Sequence, residues 1–237
     1  MACRLANIRS PGIKLASEGY RVSVDLIERV RRGNWNPAVH KEDRKHVDAL
    51  ATRGYWQAFQ AVKNSVRAVL ENKNPGTVAD DDHGGWYSEL FAPSVTAALM
   101  QPGSLAGYRN SPVYIRNSMH VPLPSHAVAD AMRVLFELLE REGHPAVRAV
   151  LGHFVFVYIH PYLDGNGRLG RFLMNVMLAA GGHPWTIVPL ERRDAYMAAL
   201  EEASAGQKTI PFAQFLGKLV QEALEGKAVA KVPGART

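Results

Sequence analysis

The chain is poor in thiols. Its 237 residues include a single cysteine, Cys3. One thiol cannot close an internal disulfide, and neither a CxxC pair nor a Cys/His zinc spacing occurs. The expected setting is therefore a reducing cytosol, although export as an effector without a cleavable signal fits the same composition. Long apolar runs are also missing. No stretch reaches the length of a membrane span. Residues 1–20 are broken by Arg4, Arg9, Pro11, Gly12 and Lys14, so no signal-peptide core forms there. No internal repeat and no low-complexity tract is visible. Long blocks of one charge are absent as well: the net charge is +6, but the basic clusters "ERVRRG" and "KEDRK" are short, and acids interrupt the second. Such a surplus suits anionic partners and does not by itself describe a DNA-binding surface.

What is present is 47% hydrophobic content, enough for one sizeable core. Apolar residues recur at three- and four-residue spacing (Ala58, Val62, Val66, Val69, Leu70), which predicts a long helix ending before Asn74-Pro75-Gly76. A short helix is expected at 22–32. "VADDDHGGW" reads as a polar loop, followed by a helix over 86–99. Later helices are expected at 127–141 with Ser125 as cap, then at 146–159, 168–180, 192–203 and 212–224. Between 101 and 125 prolines and glycines break the rhythm. "VYI" and "HVPL" flank "RNS" there as a candidate β-hairpin. The fold class is all-α with one small hairpin. The expected organisation is an N-terminal extension at 1–40, a helical region at 41–100 packing on a core at 101–225, and a tail at 226–237.

One stretch stands apart. "HPYLDGNGRLGR", residues 160–171, places a dense polar cluster between two apolar segments. Gly165-Asn166-Gly167 permits a tight turn and close approach of backbone N–H groups to a ligand. The helix that follows aims its free N–H groups and positive dipole end at that turn, which makes an anion site. Arg168 and Arg171, three apart, are expected on one face of the first turn and suit a polyphosphate. Asp164 would repel phosphates unless a divalent cation such as Mg²⁺ lies between them. His160 is the natural proton acceptor for an attacking hydroxyl. Together these are the parts of a phosphoryl- or nucleotidyl-transfer site. By contrast, "DDDH" at 80–83 is expected to be a solvated charge cluster, not a metal site.

The same stretch resembles the signature of the Fic (filamentation induced by cAMP) family: HPF, a variable residue, Asp or Glu, GNGR, two variable residues and Arg. Tyr162 replaces the usual Phe at what reads as a packing position. "GYRNSPVYIRNSMHVPLP" resembles the family's flap segment, and "RRDAYMAAL" a downstream helix. The resemblance implies an all-helical core with a flap hairpin. It implies transfer of AMP from ATP to a Ser, Thr or Tyr hydroxyl of a target protein, with release of pyrophosphate. Under it, His160 would be the base, and Asp164 would hold Mg²⁺ between the α- and β-phosphates. Gly165, Asn166 and Gly167 would cradle the phosphates. Arg168 would contact the β-phosphate side and Arg171 the terminal region. The flap, with Val113, Tyr114 and Ile115, would align the target by strand-like pairing.

Many family members carry an inhibitory glutamate in a Ser/Thr-x-x-x-Glu-Gly/Asn motif, and no complete copy is present. Glu71, followed by Asn72 but with Arg67 at the Ser/Thr position, is the nearest internal candidate, ahead of Glu225. The alternative is restraint by an antitoxin-like partner. Related chemistry on the same site includes phosphorylation, UMP transfer and de-AMPylation; a partner-restrained, toxin-like nucleotide-binding module is a further alternative. Gly165 and Gly167 favour AMP geometry over the phosphorylating Doc branch, which carries bulkier residues there. Neither a membrane nor nucleic acid is expected as partner, and a homodimer stays open.

Overall fold

The computed structural model describes residues 47–227; the helix expected at 22–32 lies outside them. Among the described residues there are seven α-helices: α1 (Val47–Leu70), α2 (Pro75–Thr96), α3 (Val128–Arg141), α4 (Pro145–Ile159), α5 (Asn166–Ala180), α6 (Arg193–Ser204) and α7 (Ile210–Leu224). None is long and apolar enough to cross a membrane.

The second helix starts eleven residues earlier than the sequence suggested. Asn74-Pro75 stops α1 but also starts α2. The Asn74 side chain accepts the N–H groups of Gly76 (2.9 Å) and Thr77 (3.3 Å), and Pro75 occupies the first turn, where its missing N–H is harmless. "DDDH" is therefore helical rather than a solvated loop. Gly84 and Gly85 are tolerated because Trp86, Tyr87, Leu90 and Phe91 beyond them are buried: tertiary burial outweighs propensity. Within the cluster, Asp82 accepts a hydrogen bond from Ser65 (2.5 Å), whose oxygen accepts the Trp86 indole N–H (3.1 Å). Among the described residues no group of three or more potential ligands is gathered around a metal position. Ser125 makes no capping hydrogen bond; it sits in a short 3-10 turn, Ser125–Ala127, that leads into α3.

One apolar core runs through all seven helices. It includes Val62 of α1, Leu90 of α2, Met132 of α3, Phe156 of α4, Phe172 of α5, Tyr196 of α6 and Phe212 of α7. Helices α4 and α5 pack against each other on either side of the polar stretch. A Cβ on Gly170 would meet Val157 Cγ1 at 2.8 Å, so α4 side chains pack directly on the α5 backbone there. His153 is fully buried on α4; it bonds the Tyr196 hydroxyl (2.8 Å) and stacks on Phe212, tying α6 and α7 to that pair.

The expected β-hairpin is absent. Residues 112–115 and 120–124 are two arms without regular secondary structure around a turn at Arg116-Asn117, and no strand pairing joins them. Their polar groups go to the body of the protein instead. Arg109 takes the carbonyls of Ser111 and Leu123. Glu201 of α6 takes the Ser118 hydroxyl (2.5 Å) and the Met119 N–H (2.7 Å). The His120 ring bonds the Tyr158 carbonyl (2.8 Å). Alternation survives without a sheet: Val113 and Ile115 are half-buried, and Tyr114 is 84% exposed.

Candidate active site

The loop between α4 and α5 is built around two left-handed residues. His160 ends α4 at φ 56°, ψ 60°, and Gly165 opens α5 at φ 83°. For histidine this conformation costs about 1–2 kcal/mol, and strain of this kind persists only where surroundings enforce it. Several bonds enforce it here. The His160 N–H still reaches Phe156 O (3.1 Å), its carbonyl accepts Arg109 Nε–H (2.7 Å), and the Pro161 carbonyl accepts the Arg109 N–H (2.9 Å). Gly165 is required twice over. Besides its φ, a Cβ there would lie 3.0 Å from Leu90 Cδ2 and 3.1 Å from Phe91 Cε2.

The imidazole of His160 bonds the Val157 carbonyl through Nδ1 (3.3 Å). A carbonyl only accepts, so Nδ1 carries the hydrogen and Nε2 is left as the basic nitrogen. Burial pushes the His160 pKa below the ordinary histidine value, and the charges of Arg109 and His120 push the same way, against the Val157 bond and Asp164. The ring is thus neutral and able to accept a proton at neutral pH.

Asn166 is wholly engaged by its own loop. Its Oδ1 accepts the Tyr162 N–H and its Nδ2 donates to the Tyr162 carbonyl. Tyr162 is buried, its ring stacked on Tyr87 at 3.8 Å. Helix α5 begins without a side-chain cap, so the first-turn N–H groups remain directed at the loop, as an anion site requires. The Asp164 carboxylate accepts the Gly165 N–H (2.6 Å) and pairs with Arg168 (3.0 Å).

The two arginines take different surroundings rather than one shared face. The Arg168 side chain is 2% exposed, lies over the Phe91 ring and reaches Asp164. Arg171 lines the cavity together with His160 and Gly167. That cavity holds about 430 Å³. Its opposite wall comes from the flap (Ile115, Ser118, His120) and from α6 (Met197, Leu200, Glu201), so it is apolar with a few convergent polar groups, as small-molecule sites are. Val113 and Tyr114 do not line it; Ile115 does.

Glu71 is placed elsewhere. It is exposed, just past the end of α1 and three residues before the Asn74 cap of α2, whose side chain bonds Glu140 O. The loop packs on Leu90 and Phe91 near the other end of α2. About fifteen residues of helix separate the two ends, roughly 23 Å at 1.5 Å per residue. Conversely, Arg109, His120 and Glu201 line or support the site without having stood out in the sequence. An isolated Arg, His or Glu has no spacing to mark it, and each acts through contacts between distant segments.

Residues 78–178 match the sequence profile of the Fic/DOC family. Over that stretch the chain is similar to a Fic domain. The protein adenylyltransferase Fic of Drosophila willistoni is 34% identical over 122 residues, which are 50% of this chain and 24% of that protein. The relative of Drosophila yakuba matches equally, so the chain spans about a quarter of the curated relatives' length. Among solved structures, Fic-1 from C. elegans superposes with a TM-score of 0.71 at 22% identity, covering 91% of this chain and 60% of that one. A Fic family protein from Desulfovibrio desulfuricans gives 0.64 at 22% identity, covering 90% and 63%. The Fic match begins inside α2 and ends inside α5, so it spans the flap segment, the α4–α5 pair and the loop between them.

Proposed function

We propose that the chain transfers AMP from ATP to a hydroxyl side chain of a target protein. The observation that carries the reading is the neutral, half-buried His160, with Nε2 left as its basic nitrogen, lining one cavity with Gly167 and Arg171 at the open N-terminus of α5. In the step, a Ser, Thr or Tyr oxygen attacks the α-phosphorus of ATP. The O–P bond to the target forms as the bond to the bridging oxygen of the β-phosphate breaks. Pyrophosphate leaves with that electron pair, and the hydroxyl proton passes to His160 Nε2.

Backbone N–H groups at the start of α5 bind phosphate oxygens, with the dipole adding to their pull. Asn166 contributes by holding the loop, since its side chain is occupied with Tyr162. Arg171 offsets charge from within the cavity; Arg168 does so from the loop side and orients Asp164. The donor set fits Mg²⁺: Asp164 offers one carboxylate, 63% exposed beside the anion loop, and Mg²⁺ takes one or two carboxylates plus phosphate oxygens. When bound, the ion offsets negative charge on the phosphates. The exposed outer face of the flap, including Tyr114 and Met119, receives the target segment.

The test compares ATP labelled in the α-phosphate with ATP labelled in the γ-phosphate, using the purified chain, its His160→Ala form and a cell lysate. Label on protein from the α-position alone, lost in His160→Ala, is the expected result. Label from the γ-position alone would replace AMP transfer by phosphorylation.

A further inference from the structure

Arg109 is 5% exposed, yet no carboxylate meets its guanidinium in any hydrogen bond found for it. Its bonds go to four backbone carbonyls from three segments. Nε donates to His160 O (2.7 Å) and Nη2 to Ile159 O (3.4 Å), both at the C-terminal end of α4. Nη1 donates to Ser111 O (3.0 Å), directly before the first flap arm, and Nη2 also to Leu123 O in the second. Its own N–H holds Pro161 O (2.9 Å). A planar fork with five N–H donors can do this; an ammonium cannot span the same directions. The cation also sits where the α4 dipole and its orphaned carbonyls favour positive charge. Burial lowers its pKa, but arginine stays charged.

The two flap arms have no ladder between them, so Arg109 is the group that bridges their bases. The same side chain fixes the left-handed turn carrying the base. We propose that Arg109 is a positioning residue that locks the flap to the His160 turn, so that the docked target and the proton acceptor share one rigid frame. This rests on the AMP-transfer reading for its chemical meaning, and its geometry can be tested apart from activity.

The experiment uses the full chain and its Arg109→Gln and Arg109→Lys forms. Three quantities are read: the His160 imidazole titration by NMR, amide exchange across 112–123, and AMP-transfer kinetics with affinity for a non-hydrolysable ATP analogue. The groups facing His160 from its neighbours are Arg109, His120 and Asp164, with Arg171, Arg193 and Glu201 around the cavity. Losing the Arg109 charge removes one influence that lowers the His160 pKa, so Arg109→Gln should titrate at higher pH, and the acid limb of kcat/KM should move with it. Arg109→Lys should keep the titration near wild type but still release the flap, with faster exchange in both arms. Transfer should fall about a hundredfold in both, the scale of an ångström-sized misplacement, while ATP-analogue affinity changes less than threefold. Unchanged exchange in both forms would overturn the proposal. So would parallel loss of nucleotide binding, or failure of both variants to fold, since Arg109 would then serve the fold alone. If the wild-type chain transfers no AMP but the titration and exchange shifts appear, AMP transfer fails and positioning stands.

Discussion

Asn166 holds both backbone polar groups of Tyr162: Oδ1 accepts its N–H at 2.9 Å and Nδ2 donates to its carbonyl at 2.7 Å. The pair is buried and closes the loop that carries Asp164. Asn166→Ala leaves two buried backbone groups without partners, at a cost of about 2 kcal/mol. The expected result is a melting temperature lower by roughly 4–8 °C, for a chain of this size, together with a loss of transfer. Asn166→Asp can accept from Tyr162 N–H but cannot donate to its carbonyl, so it should not restore stability.

Gly165→Ala tests the second left-handed residue. Alanine at φ 83° costs about 1–2 kcal/mol, and its Cβ would press on Leu90 and Phe91. A destabilisation of about 2 kcal/mol in denaturant unfolding is expected. A neutral outcome would mean that the loop relaxes out of the conformation described.

The pH dependence follows from the direction of the His160 shift. Its folded pKa is lowered, first by burial and then by Arg109 and His120. The base is active when neutral, so transfer should persist below the ordinary histidine value of about 6.5 and fall only as pH drops through the lowered folded value. His83, buried and also lowered, shares the stability consequence. The unfolded chain takes up protons first as pH falls below about 6.5, so stability should decline from there down to the folded pKa. A melting-temperature series against pH and a kcat/KM profile measure the two effects separately.

Glu201→Ala frees the Ser118 hydroxyl and the Met119 N–H at the flap turn. The expected effect is a several-fold rise in KM for the target with a smaller change in kcat, because the bonds lost hold the flap turn and not His160 or the start of α5. Glu201→Gln keeps an acceptor for Met119 N–H and should fall between wild type and Glu201→Ala in steady-state kinetics.

Much of this was legible in the chain. The helices from α3 onward fell within two residues of expectation, because their apolar periodicity and glycine or proline stops agree with the tertiary environment. The segment 160–171 was legible because its chemistry is contiguous. Helix α2 was not: Asn74-Pro75 carries the same letters whether it ends one helix or begins the next, and only the buried Trp86 and Leu90 decide for "DDDHGG". The flap misled for a related reason. Alternating side chains at 113–115 are read alike in a sheet and in an arm pinned by Arg109 and Glu201; Glu201 is more than eighty residues away, and Arg109, though close by, has its other contacts on distant segments. Glu71 had a motif-like neighbour in Asn72, but its distance from the loop is set by the antiparallel return of α2.

The absence of a ladder in the flap separates two things that a true hairpin would combine. In a paired ribbon, each residue at the tip would help set the register of the arms. Here the arms are held at their bases by one guanidinium, at the turn by one carboxylate and in the second arm by the His120 ring on Tyr158 O, mostly through backbone atoms. The outward side chains of Tyr114, Arg116, Met119 and Val121 are consequently free to drift. A lineage could exchange one clientele for another at these positions while its folding stability and its transfer chemistry passed on unaltered.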